Sequence, residues 1–196
     1  MAGLGFTHDL LIAKWEVKAT DVINLNEFYI SLHDYLWHEK YSPNKNEGFP
    51  ETFYFESRTQ QGGRELWVWW RCTKTEHDSA FFKRKLQVDV HGVGMKEVEI
   101  VRNNQKFKAN SGKVEILVQM KLAIDHTGMF KSPFWSNILD VFYKRIYHKR
   151  IEGQKKEALK DAYKFQEFVK RQMDLASFDP KRQFAPPLGL DDPHMT

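Results

Sequence analysis

Cysteine is almost missing from this chain. Cys72 is the single one among 196 residues, so no internal disulfide can form, and the composition suits a reducing, cytoplasmic setting. Long apolar runs are missing too. Asp9 and Lys14 interrupt the stretch from Met1 to Trp15, no basic segment leads it, and no run approaches the roughly 20 apolar residues of a membrane span, so neither a signal peptide nor a membrane partner is expected. Prolines are few, and four of the seven (Pro180, Pro186, Pro187, Pro193) fall in the last 17 residues. That clustering marks residues 177–196 as an extended or disordered tail on a single domain spanning 1–176.

Signatures of catalysis and metal binding are also missing. His33 and His38 are five apart on a helical segment and diverge, where a metal pair at i, i+4 would share a face. His91-Gly92-Val93-Gly94 contains a lone Gly-x-Gly that leads into a strand, whereas a phosphate loop leads into a helix, so it reads as a turn or bulge. Cys72 sits mid-strand in apolar surroundings, with His77 and Asp78 near it only in sequence, and reads as an inert buried thiol. Asp125-His126 lacks a third partner for acid–base work. No catalytic residue, cofactor or metal is assigned, and the residues name no reaction.

The chain has 41% hydrophobic and 14% aromatic residues, enough for one full core. Leu11, Ala13, Trp15, Val17 and Ala19 alternate with Ile12, Lys14, Glu16 and Lys18, the period of a half-buried strand. Thr20 or Asp21 can cap a helix whose Val22, Leu25, Phe28, Leu32 and Leu36 form one stripe ending before Pro43. Strands follow: Phe53 to Arg58 and Glu65 to Thr73 as a hairpin, then Phe82 to Val90, Met95 to Val101 and a short Lys106 to Lys108 piece after a turn at Asn103-Asn104. Lys113 to Asp125 is the clearest strand, with Val114, Ile116, Val118, Met120, Leu122 and Ile124 on one face. Ser132-Pro133 opens a helical block through Phe134, Ile138, Phe142 and Ile146. The pattern predicts an α+β fold: a twisted antiparallel sheet of about six strands, with an N-terminal helix and a long C-terminal helical segment packed on it.

Charge is unevenly placed. Residues 144–171 hold ten Lys/Arg against four acids, a local +6, which leaves −2 for the rest of a chain whose total is +4. At 100° per residue, Tyr147, Ile151, Ala158, Leu159, Ala162, Phe165, Val169 and Met173 share one arc, provided Gly153 does not break the helix. Arg145, Lys149, Lys156, Lys160, Lys164 and Arg171 lie opposite. A basic strip suits an anionic partner, and cations along one helix edge can follow a nucleic acid backbone without reading sequence. The plainer alternative is a solvated face, because Glu152, Glu157, Asp161 and Glu167 each have a cation three or four positions on.

Leu66-Trp67-Val68-Trp69-Trp70-Arg71 carries large apolar surface on both faces of a strand. Leu66, Val68, Trp70 and Cys72 point one way, and Trp67, Trp69 and Arg71 the other. Cover is expected on both sides, or else Trp67, Trp69 and Arg71 serve as a subunit interface or stacking platform.

Val88 to Ile100 with Gly-Met-Lys-Glu-Val-Glu-Ile, Asn110 to Ile124 with Gly-Lys-Val-Glu-Ile, and Ser132 to Ile151 with Pro133-Phe134 and Val141-Phe142-Tyr143-Lys144-Arg145-Ile146-Tyr147 together resemble an uncharacterised archaeal family of small cytoplasmic proteins. The resemblance spans about half the chain and implies an archaeal, intracellular origin, with no activity to carry over. The order of elements is similar to the helix-grip (START-like) arrangement, which implies an apolar cavity. Two functions are therefore expected in the alternative. One is a non-enzymatic protein associated with RNA or the ribosome through the basic helix. The other is a carrier or enzyme holding an apolar molecule among Trp67 or Trp70, Phe82, Met120 and Phe142. A homodimer is compatible with either.

Overall fold

The computed structural model describes residues 8–43, 48–58, 63–75, 81–102, 105–125 and 148–176. In chain order the elements are β1 (His8–Ile23), α1 (Leu25–His38), β2 (Glu51–Arg58), β3 (Arg64–Thr75), β4 (Phe82–Arg102), β5 (Gln105–Ile124) and α2 (His148–Ala176). The strands form one antiparallel sheet in the order β1-β5-β4-β3-β2. The protein is an α+β fold.

Because every neighbouring pair is antiparallel, β1 and β2 run in the same direction at opposite edges. The β1-α1-β2 connection is thus a parallel crossover, whose right-handed preference assigns α1 to one face. α2 buries its own apolar arc on that same face. Phe28, Leu32 and Leu36 of α1 and Ala158, Ala162, Phe165 and Val169 of α2 join Val68, Trp70, Val88, Ile116 and Met120 of the sheet in one core. Tyr35 stacks on Phe168 at 4.2 Å and ties the two helices together. Each large side chain buried in this way stabilises the fold by about 1.5–3 kcal/mol.

Several local expectations are corrected. α1 begins one turn later than the pattern predicts: β1 runs on to Ile23, and Asn24, not Thr20 or Asp21, caps the helix by accepting the Glu27 amide. Leu11 does not share the buried face of Trp15, because a bulge between Leu11 and Ala13 shifts the register. Leu11 is left 58% exposed, and Ile12 packs inward in its place. Phe82–Val90 and Met95–Val101 are one strand, and the Lys106–Lys108 piece is continuous with the strand from Lys113, so five strands are described. The Gly-x-Gly segment is a bulge within β4, with Gly94 at φ 62° and the register shift falling between Val93 and Lys96. The expected helix through Ser132, Phe134 and Ile146, the turn at Asn103-Asn104, His77, Asp78, His126 and the 177–196 tail lie outside the described residues.

Candidate nucleic-acid interface

α2 runs unbroken from His148 to Ala176, through Gly153. Of the predicted inner arc, Ile151, Ala158, Ala162, Phe165, Val169 and Met173 are buried, Leu159 is half-buried, and Tyr147 lies outside the described residues. Lys149, Lys156, Lys160, Lys164 and Arg171 point outward and are exposed. Arg145 lies outside the described residues. At 1.5 Å per residue the stripe from Lys149 to Arg171 is about 33 Å long.

Two of the acids of α2 have partners outside the helix. Of the four intrahelical partners, Glu152 reaches Lys155 at 2.7 Å, which holds its carboxyl below the ordinary range. Glu157 and Asp161 turn toward the sheet. Arg84, only 3% exposed, donates from Nη2 to Glu157 Oε2 at 2.6 Å and from Nη1 to Asp161 Oδ2 at 2.7 Å. Gln154 accepts a further bond from Nη2 at 3.2 Å. Tyr41 donates to Asp161 at 3.0 Å, and Lys74 lies 3.6 Å from the same carboxylate. Burial, with the Asp161 charge beside it, pushes the Tyr41 hydroxyl above its ordinary range, so it stays a donor.

The consequence is electrostatic. A carboxylate held by a buried guanidinium is not free to neutralise a lysine one turn away. Among the described residues Lys149, Lys160 and Lys164 form no ion pair. The outer face of α2 is therefore more uniformly positive than residue counting suggests. Sequence reasoning missed Arg84, although a signal was there: it occupies an inward position between Phe82 and Leu86, where a cation demands a buried anion.

The second expected element is elsewhere. Val68, Trp70 and Cys72 face the helices, with Trp70 fully buried and its Nε1 donating to Glu51 at 3.0 Å. Burial pushes the Cys72 thiol up to about 12, consistent with an inert side chain. Trp67, Trp69 and Arg71 lie on the opposite face, and among the described residues no element covers them. The cover expected on this second face is not supplied by the described residues. The open face is organised by side chains alone: Trp67 stacks on His91 at 3.5 Å, Trp69 packs on Phe53 at 4.4 Å, and Arg71 binds Asp89 at 2.5 Å. With the sheet between them, the basic stripe and the aromatic patch do not form one surface, and a polymer touching both would have to pass around an edge.

The residues expected to line a cavity are not all brought together among the described residues. Trp70, Phe82 and Met120 are at most 5% exposed and packed, Trp67 is on the other face, and Phe142 lies outside the described residues. A groove of about 820 Å³ opens instead between the start of α1 and β2, lined by Tyr29, Tyr54, Leu66 and Met95 together with Glu51, Glu56, Arg64 and Glu97. Among the described residues no helix is long and apolar enough to cross a membrane. Scans against protein-family models, curated proteins and solved structures each return no match.

Proposed function

We propose that this is a non-enzymatic binding protein that takes RNA, free or within a ribosome, along the outer face of α2 by its phosphates. One observation carries the reading: Glu157 and Asp161 are engaged by Arg84, which leaves a line of unneutralised cations on the exposed side of a rigid helix. Such a line follows backbone charge and reads no sequence. Five contacts on a single strand correspond to a slope of log affinity against log salt of about −3.5. The test is a filter-binding titration with total ribosomal RNA across a salt series, using the wild type and a variant with Lys149, Lys156, Lys160 and Lys164 replaced by Glu. Loss of binding with the fold unchanged by circular dichroism is expected. Retained binding by the variant, or affinity indifferent to salt, sinks the proposal.

A second reading is supported by the groove beside α1, whose volume suits a small molecule. In that case the protein is a helix-grip-like carrier, with Tyr29, Tyr54, Leu66 and Met95 against the apolar part of its cargo. A small molecule released only on denaturation and retained at high salt would favour this reading over RNA.

A further inference from the structure

The two edges of the sheet are not alike. β1 closes one side. It carries Lys14, Glu16 and Lys18 at alternate positions, is bent by its bulge, and has α2 packed against it. These are the devices that keep an edge strand from pairing with another chain. β2 closes the other side with Phe53, Tyr54 and Phe55 in succession, 38%, 53% and 49% exposed; its charged residues, Glu51, Glu56 and Arg58, and its bulge between Glu51 and Phe53 lie toward the two ends of the strand. Phe53 and Phe55 lie opposite Trp69 and Trp67 on the open face, and Tyr54 points to the helix side. The middle of this edge is therefore aromatic on both faces. Among the described residues no strand takes up its outer main-chain groups.

We infer that β2 is the seam of a symmetric homodimer, in which it pairs antiparallel with β2 of a second copy to make one continuous ten-stranded sheet. The occupant follows from self-complementarity. A two-fold axis through the sheet keeps like faces together, and a residue then meets one of its own parity in the second copy. Of the registers this permits, only the one centred on Tyr54 sets every aromatic against an aromatic: Phe53 against Phe55 of the second copy, and Tyr54 against itself. Aromatic cross-strand pairs are among the more stabilising ones. Regular pairing in this register spans Phe53 to Phe55, up to the bulge at Thr52, and no like charges meet within it. The aromatic row already formed by Trp69, Phe53 and Phe55, with centroids 4.4 and 6.3 Å apart, continues across the seam. Because the pairing consumes both β2 edges and leaves the guarded β1 edges outside, it closes at two copies.

Sedimentation of the full chain across the micromolar range should give a dimer whose melting temperature rises with concentration, and the Phe53→Lys/Phe55→Lys variant should give a monomer with an unchanged circular dichroism spectrum and a lower melting temperature that no longer depends on concentration. Tyr54→Cys tests the register. Facing its own copy at a Cα separation of about 4.5–5.5 Å, that thiol should crosslink on mild oxidation, whereas Thr52→Cys should not. A wild type monomeric at every concentration overturns the inference, as does a dimer that survives the double lysine variant or an open-ended polymer. Crosslinking through Thr52→Cys but not Tyr54→Cys overturns the Tyr54-centred register.

Discussion

The two faces of the sheet are built from the same five strands and much the same residue types, but they are held together differently. On the helix side Trp70 is fully buried, packed edge-on against Tyr29 at 5.2 Å, and hydrogen-bonded to Glu51. On the open side its neighbour Trp69 is 38% exposed and rests on Phe53. A tryptophan is apolar in both places; what differs is whether a helix is available to cover it. The β1-α1-β2 crossover commits α1 to one face, and the apolar arc of α2 fills the rest of that face, so the chain has no described element left for the other. Strand composition reports how much surface would gain from burial, and connectivity decides which of it is buried.

The sharpest way to break this comparison is to truncate each tryptophan in turn. Trp70→Ala should cost about 3–5 kcal/mol in urea unfolding, the range for emptying a large buried site. An effect below about 1 kcal/mol would mean that the covered face is not the core. Next is Arg84→Met, expected to cost about 3 kcal/mol, the low end for removing one member of a buried ion pair because Glu157 can turn to water. This variant also links the two faces of α2. With Arg84 gone, Asp161 keeps Tyr41 and Lys74 but the more exposed Glu157 becomes free to pair with Lys160, so RNA affinity should fall although no helix lysine has changed. Unaltered affinity in a folded Arg84→Met protein would separate the buried cluster from the outer stripe.

A smaller effect is expected with pH. Burial holds the Cys72 thiol at about 12 against an ordinary 9.0 and the Tyr35 hydroxyl at about 12 against 10.0. Both groups lose their proton first in the unfolded chain. Their contribution is therefore complete below about pH 9 and is lost as pH rises through the folded values near 12. Urea midpoints should fall over that window, and less steeply in Tyr35→Phe. The smallest effect belongs to the open face: Trp69→Ala should move stability by no more than about 0.5–1 kcal/mol, and a loss as large as that of Trp70→Ala would show that the two faces are equivalent after all.

Much of this architecture was legible in the residues. The alternation from Val114 to Ile124 and the arc from Ile151 to Met173 placed β5 and α2 correctly, because a period of two or 3.6 sustained over many residues leaves few alternatives. Asn24 was missed as the cap because Thr20 and Asp21 are equally good capping residues and only the length of β1 excludes them. Leu11 went astray because a bulge adds one residue to one strand, an event that alternation cannot reveal. The strip on α2 was visible as charge, but its strength was not. The intrahelical spacings Glu157 to Lys160 and Asp161 to Lys164 point to local pairs, while the competing partner, Arg84, lies more than 70 positions away. Long-range ion pairs of this kind carry no periodicity and emerge only once the sheet sets Arg84 beneath the helix.

The pairing of the first strand with the last has a consequence for how the chain is made. His8 is matched with Ile124 and Ile23 with Asn110, so β1 leaves the ribosome long before β5, its neighbour in the sheet among the described residues, exists. At a synthesis rate of about 5–20 residues per second, that interval is on the order of 5–20 s. For that time the nascent chain can assemble the β2-β3-β4 meander but cannot dock its own beginning, and completion of the sheet is timed by the arrival of β5.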